Sequence, residues 1–152
     1  MKMIIREATS KDLKYVAKLN FELDKYEKRW YPYPNLNLKN SEKWLKKSFP
    51  GKKIFVAIDN KKIVGYSFGW IETRFYHNKV KKYVYCSDLF VLKEYRRKGI
   101  GKKLIKKFED FCRKKGLEYL QLSTNFKNKI GKKIYPSIGF KECEIMYVKR
   151  IR

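Results

Sequence analysis

A strand, a glycine-containing turn, a helix and a second strand follow one another between residues 83 and 124, and this order limits the folds open to the chain. Tyr83–Val91 is rich in aromatic and β-branched residues, which favours a strand. Apolar residues recur at the helical period through Gly99–Lys115, and Gly116 stands where a helix commonly ends. Tyr119–Thr124 again has strand character. The sequence therefore predicts a βαβ unit with parallel strands and a right-handed crossover.

Shorter strands and helices are predicted around this unit. They are a strand at Met3–Ala8, a helix from Leu13 to about residue 27 behind an N-cap at Thr9-Ser10-Lys11-Asp12, a helix at Leu38–Phe49, a hairpin of Ile54–Ile58 and Ile63–Ile71, a short helix at Asn128–Tyr135 that ends before Pro136, and a closing strand or strand pair at Phe140–Val148. No Gly/Ser-rich or Pro-rich linker divides the chain, so residues 1–152 are expected to form a single domain. The predicted fold class is α/β, with a mixed, mainly antiparallel sheet flanked by helices.

Composition narrows the class of protein. Of 152 residues, 43% are hydrophobic, which is enough for a buried core and argues against disorder. No apolar run approaches the ~18 residues that span a bilayer, and charges throughout residues 1–30 argue against a secretory signal, so a cytoplasmic protein is expected. Cys86, Cys112 and Cys143 are widely spaced and His77 is the only histidine, which predicts buried, reduced thiols and no metal site.

The chain is strongly basic. It has 39 Lys and Arg residues against 15 Asp and Glu, a formal net charge of +24. Such a charge suggests a polyanionic partner such as nucleic acid, although a Lys-rich solvated surface also arises without one. No helix-turn-helix, RNP-like or Cys/His zinc pattern is present, so nucleic-acid binding is retained as an alternative and not as the leading hypothesis.

The turn before the predicted helix has the features of an anion site. Gly99 and Gly101 lack Cβ atoms, so an anion can approach the backbone closely, and the first turn of a helix presents unpaired N–H groups at its positive end. Five basic residues surround this turn: Arg96, Arg97, Lys98, Lys102 and Lys103. No Gly-Lys-Ser/Thr follows, which excludes a Walker A loop, and the third glycine of a dinucleotide-binding fingerprint is absent. The pattern predicts a phosphate-binding turn.

Two motifs in this order resemble a known family. The run Arg96-x-x-Gly99-x-Gly101 resembles the Arg/Gln-x-x-Gly-x-Gly/Ala motif with which the GNAT superfamily of N-acetyltransferases holds the pyrophosphate of acetyl-CoA. The run Asn128-x-x-Gly131-x-x-x-Tyr135-x-x-x-Gly139-Phe140 is similar to the family's Asn-x-x-Ala-x-x-x-Tyr-x-x-x-Gly-Phe landmark. The element order matches the family from Met3 to Val148, and the stretch beginning Asp88-Leu89-Phe90-Val91 looks closest to polyamine and small-amine acetyltransferases.

The resemblance implies an acetyl-CoA-dependent N-acetyltransferase. Acetyl-CoA is then the cosubstrate, and a primary amine of a small molecule or of a protein or peptide attacks the thioester directly. The residues implied for cofactor binding are Leu89, Phe90, Val91, Arg96, Arg97, Lys98, Gly99, Ile100, Gly101, Lys102 and Asn128. Asn128 is equally suited to be a helix N-cap. The alternatives are a nucleic-acid-binding module on the same scaffold with a vestigial cofactor site, and an acyltransferase for a longer acyl-CoA; a monomer and a homodimer both remain open.

Three side chains are candidates for proton transfer. By motif position, Tyr135 is the general acid that protonates the departing thiolate, and the alternative is a packed aromatic residue at a helix end. A backbone N–H of Leu89–Val91 is expected to stabilise the negative oxygen of the reacting acetyl group. Polyamine-type relatives carry the base where this chain has Ser87. The base is therefore expected to be Asp88, which faces away from Ser87 in a regular strand, Glu72 acting through water, or ordered water alone.

An acidic and aromatic segment contrasts with the rest of this basic chain. It comprises Glu22, Asp24, Tyr26, Glu27, Trp30, Tyr31 and Tyr33. Carboxylates and aromatic ring faces both attract cations, so the segment is a candidate pocket for a cationic amine. The alternative is an ordinary loop with aromatic residues that anchor it to the core.

Overall fold

The computed structural model describes residues 3–30, 38–76 and 79–147, and in them a five-stranded sheet carries helices on both faces. The strands are β1 (Ile4–Glu7), β2 (Lys53–Asp59), β3 (Lys62–Tyr76), β4 (Lys79–Val91) and β5 (Leu120–Leu122). The α-helices are α1 (Leu13–Glu27), α2 (Leu38–Ser48), α3 (Ile100–Lys114) and α4 (Lys129–Ser137). The strands lie in chain order; β1 to β4 pair antiparallel, and β4 and β5, which α3 connects, pair in parallel. The predicted α/β class and the parallel βαβ unit are confirmed.

α1 is anchored where the sequence predicts its N-cap, because Asp12 forms a capping box with Thr9. The Thr9 N–H donates to Asp12 Oδ2 at 2.7 Å, and the Arg6 guanidinium of β1 donates to both carboxylate oxygens of Asp12. The hydrogen bond from Arg6 is the main cause that lowers the pKa of Asp12 to about 2. This cluster fixes the start of α1 against the first strand, and Val16 and Ala17 follow it into the core.

Helices α1 and α2 cover one face of the sheet, called the α1 face below, and α3 covers the other, called the α3 face. On the α1 face, Leu45 of α2 packs into the same core as Tyr66 and Phe68 of β3. On the α3 face, Leu104 and Phe108 of α3 pack against the opposite side of the strands. The central strands therefore serve two cores, which explains their nearly continuous apolar sequence.

β4 carries a β-bulge at Ser87, beside Gly69 of β3. Phe68 pairs with Asp88 while Gly69 pairs with Cys86, so Ser87 has no partner in β3. In a regular strand, Cys86 and Asp88 would share a face, but the extra residue breaks the alternation. Cys86 points to the α3 face, whereas Asp88 points to the α1 face and meets α1.

The closing strand predicted at Phe140–Val148 is wrong for the part of that stretch that the structure describes. Residues 140–147 belong to no helix or strand, and 141–147 are exposed, while Val148 lies outside the described residues. A strand requires an edge that satisfies its backbone groups, which alternation of residue types does not supply. Cys143 lies here and is exposed, so the prediction of burial is wrong for Cys143 and confirmed for Cys86 and Cys112.

Gly69→Ala tests whether the bulge depends on the missing side chain. A Cβ atom at Gly69 would overlap the Tyr85 carbonyl oxygen and lie 3.0 Å from two carbons of the Phe108 ring. We expect the free energy of unfolding to fall by about 2–3 kcal/mol, as for other overpacked sites. The control is Gly101→Ala, whose Cβ would meet only Leu89 Cδ2 at 3.7 Å; a change of at most ~1 kcal/mol is expected there. Equal unfolding free energies for both variants in urea titrations would contradict the assignment.

Candidate active site

The turn before α3 presents backbone amides that no helical carbonyl uses. Gly99 has φ +73° and Arg97 has φ +61°, both left-handed, and they turn the chain from β4 into α3. The N–H of Lys103 donates to the Gly99 carbonyl oxygen at 3.1 Å. The N–H groups of residues 100–102 precede it at the positive end of α3, which has no side-chain cap. This helix end can therefore bind an anion such as a pyrophosphate.

The basic side chains predicted around this turn divide into two groups. Four of them are exposed beside the free amides: Arg97, Lys98, Lys102 and Lys103. Arg96 instead points toward β4 and α1. Its Nε donates to the Val91 carbonyl oxygen at 2.8 Å. Its guanidinium lies 5.7 Å from the centre of the Tyr26 ring and 5.6 Å from the centre of the Phe90 ring. Arg96 therefore ties the turn to β4 and α1, while the other four are exposed cations that flank the free amides in sequence.

β4 has an unpaired edge next to this turn. Its parallel pairing with β5 stops at Cys86, opposite Leu122, but β4 itself continues to Val91. No described strand pairs with residues 87–91 on that side. The Leu89 side chain points to the α3 face, toward the start of α3. The strand's free backbone groups and the free amides of α3 therefore border the same opening in the fold.

Asp88 is held on the α1 face by three donors. Asn20 Nδ2 donates to Asp88 Oδ2 at 3.2 Å, the Tyr66 hydroxyl donates to the same oxygen at 3.1 Å, and the Ser87 hydroxyl donates to Oδ1 at 2.7 Å. Burial raises the pKa of Asp88, and these hydrogen bonds act in the opposite direction. Ser87, which cannot act as a base alone, thus orients Asp88, and the bulge brings these neighbours together where a regular strand would separate them.

Two carboxylates of α1 face the same region. Asp24 and Glu27 follow Asn20 at helical spacing, so they lie on the side of α1 that Asn20 joins to β4. Burial, and next the charge of Asp88, raise the pKa of Asp24 to about 6 and that of Glu27 to about 7. The raised pKa values of Asp24 and Glu27 therefore lie near neutral pH, and the charge of Asp88 contributes to both.

The predicted acidic and aromatic segment is only partly brought together. Asp24 and Glu27 face Asp88, but Tyr26 and Trp30 pack edge to face with ring centres 5.1 Å apart, and Arg29 covers them at 3.6 and 4.8 Å. Glu22 is exposed and paired with Lys25, and Tyr31 and Tyr33 lie outside the described residues. Among the described residues of this segment, Asp24 and Glu27 reach the site, while the rings of Tyr26 and Trp30 pack against each other and Arg29.

Other aromatic rings line the α1 face near Asp88. Phe68, which pairs with Asp88 across the strands, contacts Trp44 of α2 and Trp70, and Trp70 contacts Tyr85, with ring centres 5.2 to 5.7 Å apart. Trp44 is 45% exposed. This aromatic wall beside carboxylates suits an organic cation.

Glu72 is placed apart from this cluster. It lies four residues beyond Phe68 on β3, about 13 Å along the strand from the Asp88 position. Trp70 Nε1 donates to Glu72 at 2.9 Å and the Thr73 N–H donates at 3.0 Å, and these hydrogen bonds lower the pKa of Glu72. A carboxylate with a lowered pKa is a weaker base at neutral pH, so Asp88 is the better supported of the two candidates.

Tyr135 lies within α4, because the helix continues through Pro136 rather than ending before it. The ring packs closely on the helix backbone: a Cβ atom at Gly131 would lie 3.1 Å from Tyr135 Cε2. Burial raises the pKa of Tyr135, with smaller effects from Cys86 and Glu27. The hydroxyl therefore keeps its proton at neutral pH, as a general acid must.

Asn128 is the N-cap of α4, one of the two roles that the sequence allows. Its side-chain oxygen accepts from the Gly131 N–H at 3.1 Å, and its Nδ2 donates to Thr124 Oγ1 at 2.9 Å. Contact with a cofactor stays a prediction for Asn128. Asn20 and Tyr66, by contrast, were not predicted; only the helical spacing from Asn20 to Asp24 hinted that α1 carries a polar stripe toward the sheet.

No described helix is long and apolar enough to cross a membrane. Within residues 3–30, 38–76 and 79–147, no set of three or more His, Cys, Asp and Glu side chains is placed to hold a metal ion.

Several proteins whose sequences are similar to this chain are named as N-acetyltransferases. The aminoglycoside N(6')-acetyltransferase type 1 of Salmonella typhimurium is 33% identical over 69 residues, which are 44% of this chain and 48% of that protein, so the match spans about half of its length. The thialysine N-epsilon-acetyltransferase of Bos taurus is 28% identical over 90% of this chain and 83% of that protein. YhfO of Bacillus subtilis, an uncharacterized N-acetyltransferase, is 27% identical over 92% of this chain and 91% of that protein.

Solved structures share the fold along the whole chain. A possible acetyltransferase from Clostridium difficile 630 has a TM-score of 0.79 at 26% identity, covering 100% of this chain and 99% of that one. AAC(6')-Iy in complex with the bisubstrate analogue CoA-S-monomethyl-acetylneamine has a TM-score of 0.77 at 23% identity, covering 100% and 99%. The acetyltransferase (GNAT) family model matches residues 16–140. The family suggested by the two motifs is therefore confirmed, and this chain belongs to the acetyltransferase (GNAT) family.

Proposed function

We propose that this protein transfers the acetyl group of acetyl-CoA to a primary amine of a small cationic molecule. The observation that carries the proposal is the cluster of Asp24, Glu27 and Asp88 beside the unpaired edge of β4. In a chain of net charge +24, three partly buried carboxylates at one place form a local site for a cation. The names of the relatives support the same class, since one acts on aminoglycosides and another on thialysine.

The turn and β4 supply a place for acetyl-CoA. The free amides of residues 100–102 bind the pyrophosphate, with Lys98 and Lys102 adding charge. The unpaired edge of Leu89–Val91 lies along the rest of the cosubstrate, which supplies the acetyl group as a thioester. An N–H of that edge stabilises the acetyl oxygen as it gains negative charge.

The carboxylate cluster binds the protonated amine and removes its proton. A free alkylamine has a pKa near 10.4 and is mostly protonated at neutral pH, when it cannot attack. Asp88, held by Asn20 and Tyr66, attracts the ammonium group, and Glu27 accepts its proton because the raised pKa of this carboxyl matches neutral pH. The Tyr135 hydroxyl protonates the leaving sulfur, and the second proton that the nitrogen loses as the amide forms returns Tyr135 to its neutral state.

The first test measures acetyl-CoA binding at the turn. Gly99 and Gly116 stand at the two ends of α3 with φ +73° and +65°, and a Cβ at either would meet nothing within 4 Å. Alanine at either position therefore costs a similar ~1 kcal/mol in stability. We expect Gly99→Ala to raise the Kd for acetyl-CoA about tenfold, ~1.4 kcal/mol, in calorimetric titrations, and Gly116→Ala to leave it unchanged. The same Kd for acetyl-CoA in both variants would contradict binding at the turn. If the protein instead binds duplex DNA tightly and does not bind acetyl-CoA, the result would favour the nucleic-acid alternative.

Removal of the Tyr135 hydroxyl tests the general acid. We expect Tyr135→Phe to lower kcat at neutral pH by a factor of ~100, within the range of general acid–base catalysis, while the KM for acetyl-CoA stays the same. Tyr119→Phe is the control, because Tyr119 is 56% exposed on the far edge of the sheet. An unchanged kcat for Tyr135→Phe would remove Tyr135 as the acid.

The pH profile tests Glu27. Since its carboxylate acts when deprotonated, kcat/KM for the amine should rise with pH through about 7. Glu27→Gln removes this base and one like charge from Asp24 and Asp88, so the remaining limb should move to lower pH and kcat/KM at pH 8 should fall about tenfold. Glu22→Gln, on an exposed position of the same helix, should keep the wild-type profile.

The stability of Glu27→Gln distinguishes loss of the proton-accepting role from misfolding of the variant. The pKa of Glu27 is raised in the fold, so the folded protein holds that proton more tightly than the unfolded chain does, and its stability falls as pH rises from ~4.3 through about 7. Glu27→Gln should therefore be at least as stable as wild type at pH 8. A wild-type pH profile in Glu27→Gln would refute the proton-accepting role.

A further inference from the structure

A cavity of about 500 Å³ opens between α1 and the chain that follows β4. Tyr26 of α1 and Phe90 and Leu92 at the end of β4 form its apolar lining. Lys93 and Arg96 line it from the turn before α3. The positions proposed above for the pyrophosphate and for the reacting amine leave this cavity unfilled, although it lies beside both.

The Arg96 guanidinium faces this cavity with hydrogen-bond donors to spare. Its Nε donates to the Val91 carbonyl oxygen, and the group lies between the rings of Tyr26 and Phe90. Its two terminal nitrogens carry four more N–H groups, for which the described part of the chain provides no acceptor. Arg96 is half-buried and already held in place, so little freedom is lost when its planar fork binds a carboxylate through two parallel hydrogen bonds.

The charges around the cavity favour an anion. Glu22 and Glu94 also line it, but each of them is already paired with a lysine. Lys93 and Arg96 form no ion pair with any carboxylate in the described ranges. The lining therefore has two positive charges without a counter-charge, next to apolar rings that exclude water from part of the space.

The cavity adjoins the carboxylate cluster of the proposed acceptor site. Along α1, Tyr26 is the neighbour of Glu27. Along β4, Phe90 follows Asp88 by two residues on the same face of the sheet, so their Cα atoms lie about 7 Å apart. An ammonium group at the cluster and an anion at Arg96 are therefore separated by a distance on the order of 10 Å, which an extended aliphatic chain can bridge.

We propose that the acceptor carries a carboxylate as well as its reactive amine, and that Arg96 and Lys93 bind this carboxylate in the cavity. The aliphatic chain between the two groups lies against Tyr26 and Phe90. The proposal rests on the proposed function: it keeps the ammonium group at Asp88 and narrows the acceptor to amino carboxylic acids whose amine ends an extended chain. Opposite charges at the two ends also set the direction of binding, because a carboxylate presented to the cluster would be repelled.

A matched pair of amines tests the carboxylate requirement. Hexylamine and 6-aminohexanoate differ only at the end remote from the amine, where one has a methyl group and the other a carboxylate. At pH 8 and saturating acetyl-CoA, we expect kcat/KM to be at least tenfold higher for 6-aminohexanoate, because its carboxylate gains charge-assisted hydrogen bonds. The uncharged 6-aminohexanamide should behave like hexylamine.

Variants locate the group that binds the carboxylate. Arg96→Gln removes the charge but keeps an N–H that can donate to the Val91 carbonyl oxygen, and it should bring the ratio of the two kcat/KM values to about one. Lys93→Met changes an exposed side chain and should lower the ratio about threefold. Lys114→Met, which removes the same charge at the far end of α3, should keep the wild-type ratio. The ratio is independent of any effect on acetyl-CoA, since both amines use the same cosubstrate.

A binding measurement separates this subsite from the acetyl transfer. In NMR titrations without acetyl-CoA, hexanoate should shift the amide signals of Tyr26, Phe90 and Leu92 saturably, whereas hexanol should not. Arg96→Gln should abolish these shifts, and Lys114→Met should retain them.

The outcomes distinguish the two proposals. Acetylation of hexylamine as efficiently as 6-aminohexanoate, or an unchanged ratio in Arg96→Gln, would overturn the carboxylate subsite and leave the proposed function standing. Acetylation of neither amine would count against the proposed function, and the hexanoate titration then decides the subsite alone. Saturable shifts that depend on Arg96 would uphold it, and their absence would overturn it.

Discussion

The bulge at Ser87 is the constraint on which the site depends. It is permitted by Gly69, where a side chain would collide with the Tyr85 carbonyl, and it turns Asp88 from the α3 face to the α1 face. Just beyond the bulge, β4 loses its pairing with β5 and keeps a free edge up to Val91. The extra residue thus turns the Asp88 carboxylate toward α1, and the parallel strands β4 and β5 are unpaired beyond it.

The main helices and strands, and the free amides before α3, followed from local pattern. Apolar periodicity identified α3, and Gly99 with its basic neighbours identified the free amides, because these features depend only on neighbours in the chain. The carboxylate cluster could not be predicted from local pattern, because it joins α1 to β4 through a hydrogen bond between Asn20 and Asp88, which are 68 positions apart in the sequence. The bulge that reverses Asp88 has no local signature, and no described strand pairs with residues 140–147. Contact of Arg96 with the cosubstrate stays a prediction; its hydrogen bond to the Val91 carbonyl, which the local pattern does not show, holds the side chain near Tyr26 of α1.

Charge is distributed as the proposed function requires, with cations and carboxylates at separate places. Exposed cations surround the turn before α3, while Asp24, Glu27 and Asp88 lie partly buried on the α1 face. Long-range repulsion of a cationic acceptor by a protein of charge +24 is screened by salt beyond ~8–10 Å. Inside that distance the carboxylates dominate, because burial weakens screening. A positive net charge of the chain is therefore compatible with the proposed binding of a cation at this carboxylate cluster.

The most direct test of acetyl-CoA binding between the turn and β4 is an NMR titration of backbone amides with acetyl-CoA. We predict that the amide signals of residues 100–102 and of Leu89–Val91 shift saturably, while those of Lys114 and Gly116 at the other end of α3 do not. Binding that shifts neither the start of α3 nor the free edge of β4, or no saturable binding at all, would contradict it.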